Sequence, residues 1–356
     1  MNQFRTFYRS KREAARPIVP VVDAAGWAPE ALGNVSSWSY ALTDGDIKEL
    51  MVATRRALRD GIAPEAINQE NFRLDGFAST LEDVRMELSN GRGIVMLQNF
   101  PVGQLDELGR AIAYLGLGSY LGKTISQNKD GHILGHVKDL GGDYFDPMMR
   151  PYKTKAAMQF HSDSCDYVGL LCLRTARTGG ESLVCSSVTV YNRMLERRPD
   201  LVEVLTQDFY RSRFGENNPG DLPYNKHPMF TFHEGYFSAL GPGYTLEKSQ
   251  GLPGVPQHTA AQKEAIRVYR ETAAECAADI PFTPGDIQLL NNFVTLHARR
   301  GYEDWPDESR RRHLLRLWLT DSRGRPVLPE LRAGEYSGIL LDGVKPNAPL
   351  DVHEVA

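Results

Sequence analysis

The first hundred residues carry helical patterns interrupted by one apolar run. Between positions 44 and 60, apolar residues recur every three or four positions behind Thr43, which predicts an amphipathic helix with a threonine cap. Residues 80–90 and 103–115 have similar spacing. The run Ile-Val-Met-Leu at 94–97 lies between them and predicts a short buried strand. This region therefore supplies helices and one strand.

From about residue 118 the pattern changes to short β-rich segments separated by Gly, Pro, Asn and Asp. Many short strands at this spacing favour a sandwich or a jelly-roll barrel over a parallel α/β sheet. Helices predicted near 188–206 and 259–278 would pack on its outside. The candidate strands are 132–139, 156–161, 167–174, 181–187, 207–213, 229–233, 236–240, 286–290 and 312–320. We expect a mostly β fold with flanking helices.

Composition narrows the class of protein. The chain has 356 residues, 41% of them hydrophobic, and a net charge of −4 without a long run of like charges, which argues against a nucleic-acid-binding arm. It contains no 18-residue apolar stretch and no secretory h-region behind the basic N-terminus, so we expect no membrane segment. Four cysteines without a Cys-x-x-Cys pair indicate a reducing compartment. We therefore predict a cytoplasmic protein.

The triplet His161-Ser162-Asp163 ends a predicted strand, where alternation places His161 and Asp163 on the same side. His297 follows a second strand-like apolar run and would supply a third ligand from a neighbouring strand. Two imidazoles and one carboxylate can hold one face of a divalent metal and leave the opposite positions open, which suits non-haem Fe(II). His-x-Asp alone also fits an exposed polar turn or a hydrogen-bonded core histidine.

Arg312 and Arg316 lie four residues apart in an apolar strand pattern and therefore share a face. A guanidinium on a core-facing strand is costly unless it meets an anion, and a dicarboxylate co-substrate would be such a partner. Ser182 opens a strand after a Gly-Gly turn, and its hydroxyl could bind the same carboxylate. A surface basic cluster, paired with the acidic residues just upstream, is the alternative interpretation.

Five segments carry a family resemblance: GRGIVMLQNFPV, FHSDSCDYVGLLCL, TGGESLV, NNFVTLHAR and RRRHLLRLWL. In this order they resemble the taurine dioxygenase and 2,4-dichlorophenoxyacetate dioxygenase group of Fe(II)/2-oxoglutarate-dependent oxygenases. The resemblance runs from roughly residue 75 to 320. Each segment alone is common, whereas their order is specific.

The resemblance implies roles for six residues. His161, Asp163 and His297 would be the iron ligands. Ser182, where many relatives have threonine, and Arg312 would hold the distal carboxylate of 2-oxoglutarate, and Arg316 the carboxylate that chelates iron. Fe(II), 2-oxoglutarate and O₂ would together oxidise a C–H bond with release of succinate and CO₂. Hydroxylation is the default outcome, and desaturation, epoxidation or ring closure are alternatives.

The resemblance also implies the fold, a double-stranded β-helix or jelly roll of the clavaminate synthase type. Residues 1–75 would form a helical and irregular extension packed on the core. Residues 76–356 would form the oxygenase domain, with a lid insertion near 205–255.

Substrate contacts are expected from Gln127, Tyr144 and Asn217, which lie in polar stretches before the first ligand and between the ligands. Their polarity favours a small polar metabolite such as an amino acid or a carboxylate. A non-catalytic metal- or ligand-binding jelly roll is the alternative, and a structural zinc protein or a protein-modifying oxygenase is also open. The sequence leaves the oligomeric state open, with a homo-oligomer as one option.

Overall fold

The computed structural model describes residues 8–142 and 150–352. Its helices are α1 Asp44–Arg59, α2 Phe77–Asn90, α3 Glu107–Ser119, α4 Ser187–Arg197, α5 Pro199–Leu205, α6 Thr245–Ser249, α7 Ala260–Glu275 and α8 Pro329–Ala333. Its strands are β1 Ser39–Ala41, β2 Ile94–Gln98, β3 Lys123–Thr124, β4 Gly135–Val137, β5 Met158–His161, β6 Tyr167–Arg174, β7 Thr178–Gly179, β8 Ser182–Ser186, β9 Asp208–Ser212, β10 Tyr224–Pro228, β11 Phe230–His233, β12 Tyr236–Ala239, β13 Ala278–Ile280, β14 Ile287–Asn291, β15 Thr295–Arg299, β16 Tyr302–Glu303 and β17 His313–Thr320.

Two facing sheets form the core. The larger has the strand order β1-β2-β14-β6-β17-β3, with β4 also on β17, and the smaller has the order β13-β8-β15-β5. All their pairings are antiparallel except that of β1 with β2. Leu290 of the larger sheet and Val184 of the smaller belong to one buried cluster, which places the two inner faces together. This arrangement confirms the predicted jelly roll.

Period-two alternation decides which side chains enter the space between the sheets. On β17, Leu317 packs against the outer helices, whereas Trp318 belongs to the inner cluster. On β15, Leu296 and Ala298 pack against the helices beneath the smaller sheet. His297, which lies between them in sequence, therefore faces the interior.

Helices cover both outer faces. The larger sheet packs against α1, α2 and α3, and α1 begins with a capping box formed by Thr43 and Asp46, so the predicted cap is confirmed. The smaller sheet packs against α4, α5 and α7. The segment predicted to be helical near 188–206 forms two helices, α4 and α5. The helical pattern breaks at Arg198, whose backbone is non-helical (φ −145°, ψ 64°) because Pro199 disfavours helical geometry in the residue before it.

The N-terminal region shares the core of the rest of the chain. Leu50 of α1 and Leu289 of β14 lie in one hydrophobic cluster, and β1 pairs with β2. Asp23 and Arg325 form a buried ion pair at 2.6 Å. Residues before position 75 thus pack on the sheet and also extend it by one strand.

A segment near the end of the described chain, residues 337–349, runs beside residues 125–136. The Ile339 amide donates to Ser126 O at 2.9 Å, and the Ile133 amide donates to Asn347 O at 2.8 Å. Gln127 and Ile339 also form a parallel bridge. This C-terminal strap covers the backbone that leads into β4.

Within the residues that the structure describes, no helix has both the length and the hydropathy needed to cross a membrane. The four cysteines are buried and free.

Candidate metal centre and co-substrate pocket

The three predicted ligands meet between two neighbouring strands. His161 ends β5 and pairs directly with His297 in the middle of β15, and Asp163 follows two residues after His161. One potential ligand atom from each residue lies within 4.8 Å of the other two. The two imidazole centroids are 4.2 Å apart. A single divalent ion can therefore contact all three side chains.

Hydrogen bonds around the ligands favour metal binding. His161 Nδ1 lies 2.8 Å from Gln159 O, so Nδ1 carries the proton and Nε2 keeps its lone pair for a metal. The Asp163 amide donates to Asn292 Oδ1 at 2.9 Å, which fixes the turn after β5. Asp163 Oδ2 is buried without a hydrogen-bond partner among the described residues. A cation at this point would satisfy that oxygen, so the residues present fit the metal.

Burial and neighbouring charges set the protonation states of the three potential ligands. Burial, with the neighbouring His161, lowers the pKa of His297 to about 3, and burial also lowers the pKa of His161. For Asp163, burial raises the pKa, but Arg316 and the two imidazoles together bring it below its ordinary value. At neutral pH the site therefore presents two neutral imidazoles and one carboxylate, the forms that bind divalent metals.

A cavity leads from the ligands between the sheets to Arg312, which precedes β17. The Arg312 side chain is buried, which lowers its pKa, and its Nη1 has no hydrogen-bond partner among the described residues. Ser182 lies at the same end and donates its hydroxyl to Gln288 Oε1 at 2.9 Å, while Gln288 Nε2 has no described partner. Unpaired donors at one end of a cavity suit a carboxylate.

Arg316 lies between this cavity and the metal ligands. Its Nη1 is 3.4 Å from Asp163 Oδ1, and its guanidinium carbon is 4.5 Å from the centroid of Tyr152 and 5.0 Å from that of Trp318. Its Nε donates to Gln127 Oε1 at 2.7 Å. The Arg316 guanidinium is thus held beside the Asp163 carboxylate.

The three predicted substrate residues have different surroundings. Gln127 is 1% exposed and donates Nε2 to Ile133 O and Arg316 O, so protein groups use both ends of its amide. This arrangement indicates that Gln127 orients Arg316. Asn217 is half-buried, with Nδ2 3.4 Å from Asn218 O, and does not border the described cavities at the ligands. Tyr144 lies outside the described residues.

A second cavity opens on the other side of His161 and Asp163, and the predicted lid segment supplies much of its wall. Phe214 and Tyr244 contribute from that segment. Arg150 enters from the chain before β5, donates to Glu216 and lies 4.9 Å from the Phe214 ring centroid. The second cavity is therefore bounded by aromatic and cationic groups.

Two glycines hold the lid segment tightly against the first ligand. An ideal Cβ on Gly241 would lie 2.6 Å from His161 Cα, and one on Gly243 would lie 2.9 Å from His161 Cβ. The Gly241 amide donates to Ser162 Oγ at 2.9 Å. Only glycine fits at these two positions, because a Cβ atom there would overlap His161. No local sequence pattern reveals which backbone a distant loop will touch, so neither glycine is recognisable as a site residue from the sequence.

A second group of potential metal ligands is hydrogen-bonded instead. His136 Nδ1 is 2.8 Å from His313 Nε2, and His136 Nε2 donates to Pro349 O at 2.8 Å. Arg174 donates to His313 Nδ1 at 3.2 Å. Since an arginine can only donate and a carbonyl can only accept, the bonds run in one direction from Arg174 to Pro349 and both imidazoles are neutral. This series of hydrogen bonds connects β17 to the C-terminal strap.

Comparison with known proteins agrees with this geometry. The family model described as "Taurine catabolism dioxygenase TauD, TfdA family" matches residues 55–318. FR-33289 synthase of Streptomyces rubellomurinus (strain ATCC 31215) is 29% identical over 315 residues, covering 86% of this chain and 92% of the relative. The taurine hydroxylase-like protein SAT17 of Stachybotrys chartarum (strain CBS 109288 / IBT 7711) is 26% identical over 312 residues, covering 84% of this chain and 79% of the relative.

Solved structures share the fold. Asparagine oxygenase, in complex with Fe(II), (2S,3S)-3-hydroxyasparagine and succinate, superposes with a TM-score of 0.62 and 18% identity over 85% of this chain and 99% of the other. The non-haem iron oxygenase OrfP, in complex with Fe and α-ketoglutaric acid, gives a TM-score of 0.60 and 15% identity over 85% and 99%. With the family match across most of its length, the chain belongs to the TauD/TfdA family and is an Fe(II)/2-oxoglutarate-dependent oxygenase.

Proposed function

We propose that this oxygenase hydroxylates a C–H bond of a small polar metabolite, an amino acid or a related carboxylate, in the cytoplasm. His161, Asp163 and His297 bind Fe(II), and Ser182, Arg312 and Arg316 bind 2-oxoglutarate. The observation that carries the assignment is one continuous cavity. It has three convergent ligand atoms at one end and the unpaired Nη1 of a buried arginine at the other.

The chain contributes binding and orientation. When bound, Fe(II) with 2-oxoglutarate and O₂ supplies the oxidising chemistry, and succinate and CO₂ are released. His161, Asp163 and His297 would hold the metal from one side, and the adjoining cavity would admit the co-substrate. Arg312 provides the far anchor, and Arg316 provides a positive charge near the metal, so the co-substrate is held at both ends.

The substrate occupies the second cavity, and the segment near 205–255 acts as its lid. The Arg150–Glu216 contact joins the lid to the chain before β5, which excludes water from the reacting centre. A concave cavity with tyrosine, phenylalanine and arginine walls favours a metabolite over a folded protein. The amino-acid products held by asparagine oxygenase and by OrfP support the choice of substrate class.

The metal assignment is tested without substrate. Under anaerobic conditions, the protein with Fe(II) and 2-oxoglutarate should develop a weak visible metal-to-ligand band, which His161→Ala and His297→Ala should abolish. His233→Ala, on β11 and partly exposed, is the matched control and should keep the band. A wild-type protein that binds neither Fe(II) nor 2-oxoglutarate would contradict the assignment and favour a non-catalytic jelly roll.

The substrate class is tested by turnover. Succinate formation is measured across panels of amino acids, sulfonates, carboxylates and betaines, and products are identified by mass. We expect stimulation by amino acids or related carboxylates and a mass gain of one oxygen atom. Stimulation confined to peptides or proteins would contradict the proposed substrate class while leaving the metal assignment intact.

A further inference from the structure

A third arginine faces the co-substrate cavity. Arg299 is two residues after His297 on β15, and the residue between them, Ala298, packs outward against the helices, so both flanking side chains face inward. Arg299 is 6% exposed and borders the cavity. Its direct cross-strand partner on β8 is Ser182. This register places the Arg299 side chain beside the serine that lies at the Arg312 end of the cavity.

Protein groups accept hydrogen bonds from only part of the Arg299 guanidinium. Its Nη2 donates to Thr154 O at 2.7 Å and also to Ala156 O. Its Nε and Nη1 are buried and have no hydrogen-bond partner among the described residues. No carboxylate in the described ranges lies within ion-pairing distance of it. A buried cation whose donors are left unpaired is costly, and a bound anion removes that cost.

Arg299 and Arg312 approach the same space. Their guanidinium carbons lie 4.9 Å and 5.3 Å from the centroid of the Tyr302 ring. Arg312 Nη1 is also unpaired. Two neighbouring guanidinium groups with open donors, neither of them ion-paired with a carboxylate among the described residues, form a stronger anion site than the single arginine predicted from the sequence.

We propose that Arg299 is a second guanidinium for the distal carboxylate of 2-oxoglutarate, acting beside Arg312 and making the pocket selective for 2-oxo acids with a second carboxylate. This proposal rests on the proposed function, because it assumes that the cavity holds the co-substrate. It assigns specificity to a residue whose other contacts, to Thr154 and Ala156, are structural.

The test compares two ligands that differ only at the distal end. The anaerobic Fe(II)-protein is titrated with 2-oxoglutarate and with 2-oxopentanoate, which has the same number of carbons and no distal carboxylate, and the visible band reports each dissociation constant. Arg299→Met should weaken 2-oxoglutarate about 10- to 100-fold and change 2-oxopentanoate less than about twofold. Arg300→Met, an exposed neighbour paired with Asp279, is the matched control and should leave both affinities unchanged.

Arg299→Lys keeps the charge and should retain part of the selectivity, so the proposal stays testable if the methionine variant does not fold. Equal weakening of both ligands in the variants would overturn the proposal in favour of a purely structural Arg299. Unchanged affinity for 2-oxoglutarate would overturn it as well. A wild-type protein that binds neither ligand would instead refute the proposed function itself.

Discussion

The contact between Gly241 and the first metal ligand gives a sharp prediction for Gly241→Ala. The added Cβ would lie 2.6 Å from His161 Cα, whereas ordinary van der Waals contacts begin near 3.4 Å. The opposing atoms are backbone, so no flexible side chain can move aside. Either the loop or the end of β5 must therefore shift by about 0.8 Å, the difference between those two distances.

A shift of this size acts on metal affinity more than on folding. Forcing an extra methyl into a packed contact costs about 1–3 kcal/mol of stability. Disturbing groups that orient a metal ligand typically costs about 10- to 100-fold in metal affinity. We therefore expect Gly241→Ala to fold, with a lower free energy of unfolding, and to bind Fe(II) at least about tenfold more weakly.

Anaerobic Fe(II) titration and urea unfolding of the metal-free protein measure the two effects. Gly251→Ala is the matched control, because no non-neighbouring atom lies within 4 Å of its added Cβ, and because it lowers the conformational entropy of the unfolded chain in the same way. Wild-type Fe(II) affinity in Gly241→Ala, with unchanged unfolding, would refute the inference that this loop positions His161.

Two further predictions concern groups behind the pocket. Gln127→Leu removes the acceptor of Arg316 Nε and the donor to two main-chain carbonyls, so the free energy of unfolding should fall by about 1–3 kcal/mol. The same variant should weaken 2-oxoglutarate binding in the anaerobic titration, whereas the exposed Gln257→Leu should change neither quantity. Burial, with the neighbouring His136, lowers the pKa of His313 from 6.5 to about 3. The unfolded chain therefore binds the extra proton below pH 6.5, and stability is lost on acidification through that range. Between pH 7.5 and 5.0 the metal-free wild type should lose up to about 2 kcal/mol through His313, and His313→Gln should show a correspondingly smaller loss in urea unfolding. An identical pH dependence in both proteins would contradict neutral burial of this imidazole.

The sequence predicts the elements whose signal is local. Strands with clear alternation, such as β6 and β17, appear within a residue or two of their predicted bounds, and the Thr43 cap is present. Alternation also predicts that Arg312 and Arg316 border one cavity. His297 lies on β15, a neighbour of β5 as predicted, and a turn at 292–294 separates β15 from the apolar strand β14. Three residues within an apolar stretch gave little sign of this turn.

Features that depend on distant pairing were beyond local pattern. The role of Gln127 follows from its contact with Arg316 across two elements that no motif connects. β10 was missed because its polar sequence carries no alternation and its partner β9 supplies the pairing. Arg299 is different, since its spacing from His297 placed it on the inner face of the same strand. That signal was available in the sequence.

The strap formed by residues 337–349 has a consequence for how the enzyme is made. Ser126 and Ile339, whose hydrogen bonds brace the backbone beside Gln127, are 213 positions apart. At a translation rate of about 5–20 residues per second, the ribosome needs roughly 10–40 s to travel between them. The ligands up to His297 emerge before the strap does. We therefore expect the Arg316 side of the pocket to mature only after residues 337–349 have left the ribosome, later than the three iron ligands.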